Sequence, residues 1–154
     1  MRRLRRRSAS ATDILDSELM ARLRRDAGLL AAFFRLTYRE IVPENRRVKR
    51  RYGVCTADGR IAVRLRHVKT GNPLKYSSLI NTLCHELAHL RHFDHGPGFK
   101  RFYLEILERA RSMGIYRPGR KEETAWIQLE LFPGPHAPAR SDESGNESSA
   151  PCDL

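Results

Sequence analysis

The chain predicts a small α+β fold, a short antiparallel, hairpin-based sheet packed on helices, and three stretches of sequence predict it. Tyr52 to Thr56 and Arg60 to Arg66 flank Ala57-Asp58-Gly59, and Asp-Gly between two strand-like runs is a hairpin signal. Leu79, Ile80, Leu83, Leu87 and Leu90 recur at helical spacing. So do Phe99, Phe102, Ile106, Leu107, Ala110 and Met113. The length of 154 residues suits one domain with its own core, and no apolar run approaches a membrane span.

Residues 1 to 11 read as a basic, disordered arm. Arg2-Arg3-Leu4-Arg5-Arg6-Arg7 resembles the start of a targeting signal, but Asp13, Asp16 and Glu18 follow where an apolar stretch would be needed. Export is therefore not expected, and a cytoplasmic, monomeric protein is. Cys55, Cys84 and Cys152 agree, since they form no metal-type pair and leave one over. The folded domain is expected over 12 to 120. Its first part, residues 13 to 25, carries Ile14, Leu15, Leu19, Met20 and Leu23 at helical spacing after a cap at Thr12. Leu29, Leu30, Phe33 and Phe34 predict a second helix or a continuation past Gly28, and Pro43 ends the unit.

The net charge is +11. The arm accounts for five arginines and the segment after 132 is net acidic, so the domain between them is itself basic. A basic domain is the footprint of work near a polyanion, with a soluble surface as the plainer alternative. The candidates for nucleic-acid contact are Arg46, Arg47, Lys49, Arg50 and Arg51, the densest basic run, together with Arg64 and Arg66. In the second strand of the hairpin Ile61, Val63 and Leu65 are expected to face one way and these two arginines the other.

The chemistry concentrates in Leu83-Cys84-His85-Glu86-Leu87-Ala88-His89-Leu90-Arg91-His92-Phe93-Asp94-His95-Gly96. On a helix, four residues advance about 6 Å and return to one face, so His85 and His89 of H-E-x-x-H can grip one metal ion. Neutral imidazole suits Zn²⁺, and a catalytic site uses three protein ligands, leaving the fourth position for water. Glu86, one step round the helix, is the candidate general base. His92 shares the face but lies about 10 Å along the axis from His85. His95 precedes Gly96-Pro97-Gly98, a turn that lets it fold back over the ion. Its spacing is that of the metzincin pattern, with His92 standing where that pattern has Gly. A third ligand from Glu105 or Glu108 is the other option, although Arg101 and Arg109 flank Glu105 at surface-pairing distance.

This stretch resembles the active-site helix of the SprT-like and YgjP-like zinc metallopeptidases, where His-Gly or His-Ser and an aromatic follow H-E-x-x-H. Arg51-Tyr52-Gly53-Val54-Cys55 and Arg60-Ile61-Ala62-Val63-Arg64-Leu65 are similar to the R-W-G-S-C and I-R-L-N segments of the YgjP-like group, with Tyr52 and Val54 in place of Trp and Ser. The resemblance, over about Val48 to Met113, implies a zincin-like metallopeptidase domain. It also implies one zinc held by His85, His89 and His95, Glu86 as base, and hydrolysis of peptide bonds. Such enzymes lay an extended substrate along an edge strand beside the catalytic helix, a role that Arg60 to Arg66 would fill. His92, Tyr103 and Tyr116 are candidates for stabilising the oxyanion, and Met113 is read as core.

Residues 121 to 132 hold a second motif. Gln128-Leu129-Glu130-Leu131-Phe132 resembles the Q-L-x-L-F peptide with which bacterial proteins dock on the DNA sliding clamp, so Gln128, Leu129, Leu131 and Phe132 are candidate contacts. The alternation of Ala125, Ile127, Leu129 and Leu131 equally predicts a C-terminal strand. Residues 133 to 154, rich in Ser, Pro, Gly and acidic residues, read as a disordered tail. Together these expectations describe a zinc peptidase acting on DNA-associated proteins, of the kind that removes DNA–protein crosslinks. A processing peptidase unrelated to DNA and a non-catalytic, zinc-stabilised nucleic-acid-binding module are the alternatives.

Overall fold

The computed structural model describes residues 10–119. The first helix, α1 (Ala11–Phe34), is capped by Ser10, two residues before the expected cap Thr12. Ser10 accepts the Asp13 N–H and the Asp13 carboxylate accepts the Ser10 N–H, a reciprocal box that Thr12 lacks the spacing to make. The helix runs through Gly28 without a break, since Met20, Leu23, Ala27, Leu30 and Ala31 share one buried stripe. It ends at Arg35, whose left-handed backbone (φ 54°) returns its N–H to the last turn.

Three short strands follow: β1 (Glu40–Pro43), β2 (Gly53–Cys55) and β3 (Arg60–Val63). The hairpin forms as expected, with Gly59 at φ 80° turning β2 into an antiparallel β3. The sheet, however, is mixed rather than antiparallel. β1, which carried no sequence signal of its own, pairs parallel to β3, giving the order β1-β3-β2. β3 is therefore central, not the edge expected of Arg60 to Arg66. Its ladder ends at Val63, followed by an isolated bridge between Arg66 and Pro73. On the β1 edge Arg24 Nε donates to Ile41 O at 2.8 Å, and β2, the other edge strand, lies beside the next helix.

That helix, α2 (Tyr76–His89), is the central element. Leu79, Ile80, Leu83, Cys84, Leu87 and Ala88 are all fully buried, and so nearly are Asn81, Thr82, His85 and Glu86, because α1, α3 and the sheet enclose it. Truncating a side chain such as Leu83 here removes about 2–5 kcal/mol. Leu90 is half-buried against the same core. After a tight loop, Pro97 opens α3 (Pro97–Ser112) at its first turn, where a missing N–H costs nothing. Phe99, Phe102, Tyr103, Ile106, Leu107 and Ala110 form its buried face. Met113 is 36% exposed at the helix end rather than core, and Gly114 (φ 69°) turns the chain away.

Candidate metal centre

His85 and His89 sit one turn apart near the end of α2. The chain doubles back between Leu90 and Gly96, bringing His95 to the same point. His85 Nε2 lies 3.1 Å from His89 Nε2 and 3.1 Å from His95 Nε2, and the three donor atoms fall within 4.8 Å of one another. A tetrahedral zinc with Zn–N of about 2.0–2.1 Å separates its nitrogen ligands by roughly 3.3 Å. The spacing fits such an ion.

The tautomers agree with this. His89 Nδ1 lies 3.0 Å from the carbonyl oxygen of His92, to which it donates, so its Nε2 keeps a lone pair for the cation. Burial, reinforced by the two neighbouring imidazoles, pushes the His85 pKa down to about 3. Burial also lowers that of His89. Both are therefore held in the neutral form that a metal requires. The cluster grades from buried His85 to exposed His95, so its open side faces solvent. Phe99 forms its floor, with ring centroids 4.8, 4.5 and 4.8 Å from those of His85, His89 and His95. Phe99 was expected as a helix core position and as the aromatic that follows His95-Gly96; its place as the floor of the cluster was not expected.

Glu86 is 4% exposed, and its carboxylate accepts the backbone N–H of Cys55. Burial pushes its pKa up to about 8, against the lowering effects of that N–H and of Arg51. The contact depends on Gly53, where an added Cβ would lie 2.7 Å from both Glu86 Oε1 and Thr82 Cγ2. Only a glycine lets β2 approach α2 this closely. Neither Gly53 nor Cys55 was recognised from sequence as part of the site.

The alternatives for the third ligand lie elsewhere. Glu105 and Glu108 are exposed on α3, the latter 3.7 Å from Arg111. The His92 ring lies beside Gly98 and 5.9 Å from the ring of Phe102. Of the oxyanion candidates, Tyr103 is buried beneath Phe99 with its hydroxyl donated to Asn81, and Tyr116 is buried under Arg111.

The family model described as the WLM domain matches residues 17–149. The chain belongs to the WLM domain family. This is a Wss1-like metalloprotease family related to the SprT-like zincins. Two crystal structures of Wss1 from Saccharomyces cerevisiae are similar in fold to this WLM domain. One is 20% identical with a TM-score of 0.56, covering 62% of this chain and 79% of that one. The other, of a Wss1 mutant, is 17% identical with a TM-score of 0.61, covering 71% and 91%. At such identities the likeness speaks for the fold alone. No curated protein sequence matches the chain.

The basic residues of the WLM domain divide into two sets. Arg47, Lys49 and Arg50 are exposed and form no ion pair among the described residues. The others are engaged: Arg46 and Arg66 pair with Asp16 at 3.0 and 2.7 Å, Arg51 pairs with Glu44 at 2.7 Å, and Arg64 is buried. Arg64 and Arg66 were expected on a basic surface, but Arg66 is drawn to Asp16 of α1 and Arg64 is buried against the carbonyl of Arg51. Among the described residues no helix is long and apolar enough to cross a membrane. Residues 1–9 of the basic arm, the candidate clamp peptide with Gln128, Leu129, Leu131 and Phe132, and the acidic tail lie outside the described residues.

Proposed function

We propose that this WLM domain is a zinc-dependent peptidase that hydrolyses peptide bonds in proteins associated with DNA. The observation that carries the reading is the convergence of His85, His89 and His95 beside a buried Glu86. Membership of a metalloprotease family concerned with DNA–protein crosslinks supports it from an independent side.

In this reading the three histidines hold one zinc through Nε2. When bound, zinc polarises the scissile carbonyl and lowers the pKa of water to about 7. Glu86 takes a proton from the attacking water at its carboxylate and delivers it to the leaving amine. The Cys55 N–H fixes the orientation of that carboxylate. Phe99 packs against all three imidazoles and keeps water from their inner side. The substrate strand runs along β2. Because Tyr52 and Thr56 bond β3, the backbone of Gly53 and Cys55 faces the open edge next to Glu86. The exposed Arg47, Lys49 and Arg50 face the nucleic acid, and Gln128 to Phe132 dock on a sliding clamp.

The test is cleavage of a DNA-bound protein by zinc-loaded protein, with and without the DNA, beside Glu86→Gln. Native turnover that is DNA-dependent and lost in the variant is expected. Undiminished function in Glu86→Gln would indicate a zinc-stabilised binding module instead. Equal cleavage without DNA would indicate a processing peptidase. The clamp contact is tested by pull-down with Leu131→Ala and Phe132→Ala, where unchanged capture removes it.

A further inference from the structure

Arg64 carries a charge that the metal centre does not use. It directly follows β3 and is 6% exposed. Its Nε donates to Arg51 O at 3.0 Å, but the buried Nη2 has no hydrogen-bond partner among the described residues. A guanidinium offers five donors and keeps its charge at any ordinary pH. One buried with an idle nitrogen calls for an acceptor.

The side chain borders a cavity of about 40 Å³ that Arg46, Arg66, Asp16 and Glu44 also line. That is space for about three waters, or for one tetrahedral oxyanion. Three guanidiniums face two carboxylates there, a surplus of one positive charge, and neither carboxylate is hydrogen-bonded to Arg64. Asp16 accepts from Arg46 and Arg66, while Glu44 accepts from Arg51 at 2.7 Å and from the Asn45 N–H at 3.0 Å. The lining thus retains positive charge, and the exposed Arg47, Lys49 and Arg50 on the adjoining loop add to it. An open groove of about 800 Å³ across the outer sheet face shares Asp16, Glu44 and Arg46 with the cavity, so an extended ligand can reach it.

We propose that Arg64, with Arg46 and Arg66, forms a site for a single phosphate group, and that the phosphate it receives belongs to the backbone of a nucleic-acid strand. Guanidinium forks match phosphate oxygens, and contacts of this kind set the register of a protein on nucleic acid without reading bases. The inference deepens the nucleic-acid part of the proposed function and rests on that part; it requires no peptidase step.

Full-length, zinc-loaded protein is titrated by calorimetry with inorganic phosphate in chloride buffer. Separately, it is titrated with a short single-stranded DNA and with the same sequence on an uncharged methylphosphonate backbone. Saturable phosphate binding is expected, weakened about tenfold in Arg64→Gln and Arg46→Gln, with DNA affinity falling in both and the uncharged strand bound poorly. Arg46 has an exposed side chain, so its variant carries the test if Arg64→Gln does not fold. No phosphate binding in the native protein, with DNA affinity unchanged in both variants, overturns the site and leaves the cavity to water. Phosphate binding that the variants lose while DNA affinity stays the same keeps an oxyanion site but overturns its assignment to nucleic acid. DNA-independent peptide cleavage, by contrast, would count against the proposed function and leave the phosphate titration intact.

Discussion

On the inner side of the sheet, where Gly53 and Cys55 press against α2, the protein gathers three imidazoles, graded from buried to exposed, beside a buried carboxyl group. On the outer side, the loop after β1 and the start of α1 bring arginines and carboxylates together as Arg46–Asp16–Arg66 and Arg51–Glu44. The residue classes are equally polar, yet one group is assembled to receive a cation and the other to neutralise itself. The difference teaches where to look for chemistry. Imidazoles gathered nitrogen to nitrogen over a neutral wall such as Phe99 need something from outside. Groups that meet their opposite are held in place first, as Arg46 and Arg66 are by Asp16. Arg64 is the outer-face residue that follows the inner-face rule.

The strongest way to break this comparison is to disturb the inner group. His85→Ala is expected to lose the single equivalent of zinc measured by elemental analysis. Glu86→Gln is expected to keep the metal while turnover falls about 10²–10⁴-fold. Metal retained in the first variant, or full turnover in the second, would put the inner face on the same footing as the outer. Next in size is Gly53→Ala. The new methyl group must displace Glu86 or Thr82, and a loss of about 1–3 kcal/mol in denaturant unfolding is expected, with reduced turnover.

The pH response separates the two faces more finely. In the metal-free protein His85 resists protonation, so the unfolded chain binds a proton that the native state refuses. Stability should fall as pH drops below the ordinary 6.5 and level off near 3. Asp16 behaves in the opposite sense. Burial raises its pKa, but hydrogen bonds from Arg66 and Arg46 outweigh that and leave it lowered from 3.8. Its contribution is full above that value and is lost as pH falls through the lower folded pKa. Comparing native protein with Asp16→Asn across pH 2 to 8 checks this, since the gap between them should close only at the acid end. The smallest effect is expected from Arg46→Ala, less than about 1 kcal/mol of stability, because that side chain is largely exposed.

Much of the inner site was legible because its information is local. H-E-x-x-H carries its own geometry on any helix, and the Gly96-Pro97-Gly98 cluster announced the reversal that brings His95 back. The hairpin was legible from Asp58-Gly59 for the same reason. What was not legible depended on tertiary neighbours. β1 has four residues, one of them buried and the last a proline, too few for alternation to register. Without it β3 looked like an edge. Arg64 and Arg66 followed the alternation correctly, but their destination was set by Asp16, fifty positions earlier than Arg66. The Ser10 cap is written in Ser10…Asp13, an acid three residues on, whereas Thr12 has Leu15 at that spacing.

The three imidazoles are drawn from the eleven consecutive positions 85 to 95. A growing polypeptide therefore presents every donor as soon as that short stretch leaves the ribosome, before α3 exists to support it. An unfolded chain keeps much of this chelating capacity, and whatever affinity it retains subtracts from the stabilisation that loading confers on the native state. Zinc in this arrangement should raise the melting temperature less than it would in a centre gathered from remote segments, while remaining indispensable to turnover.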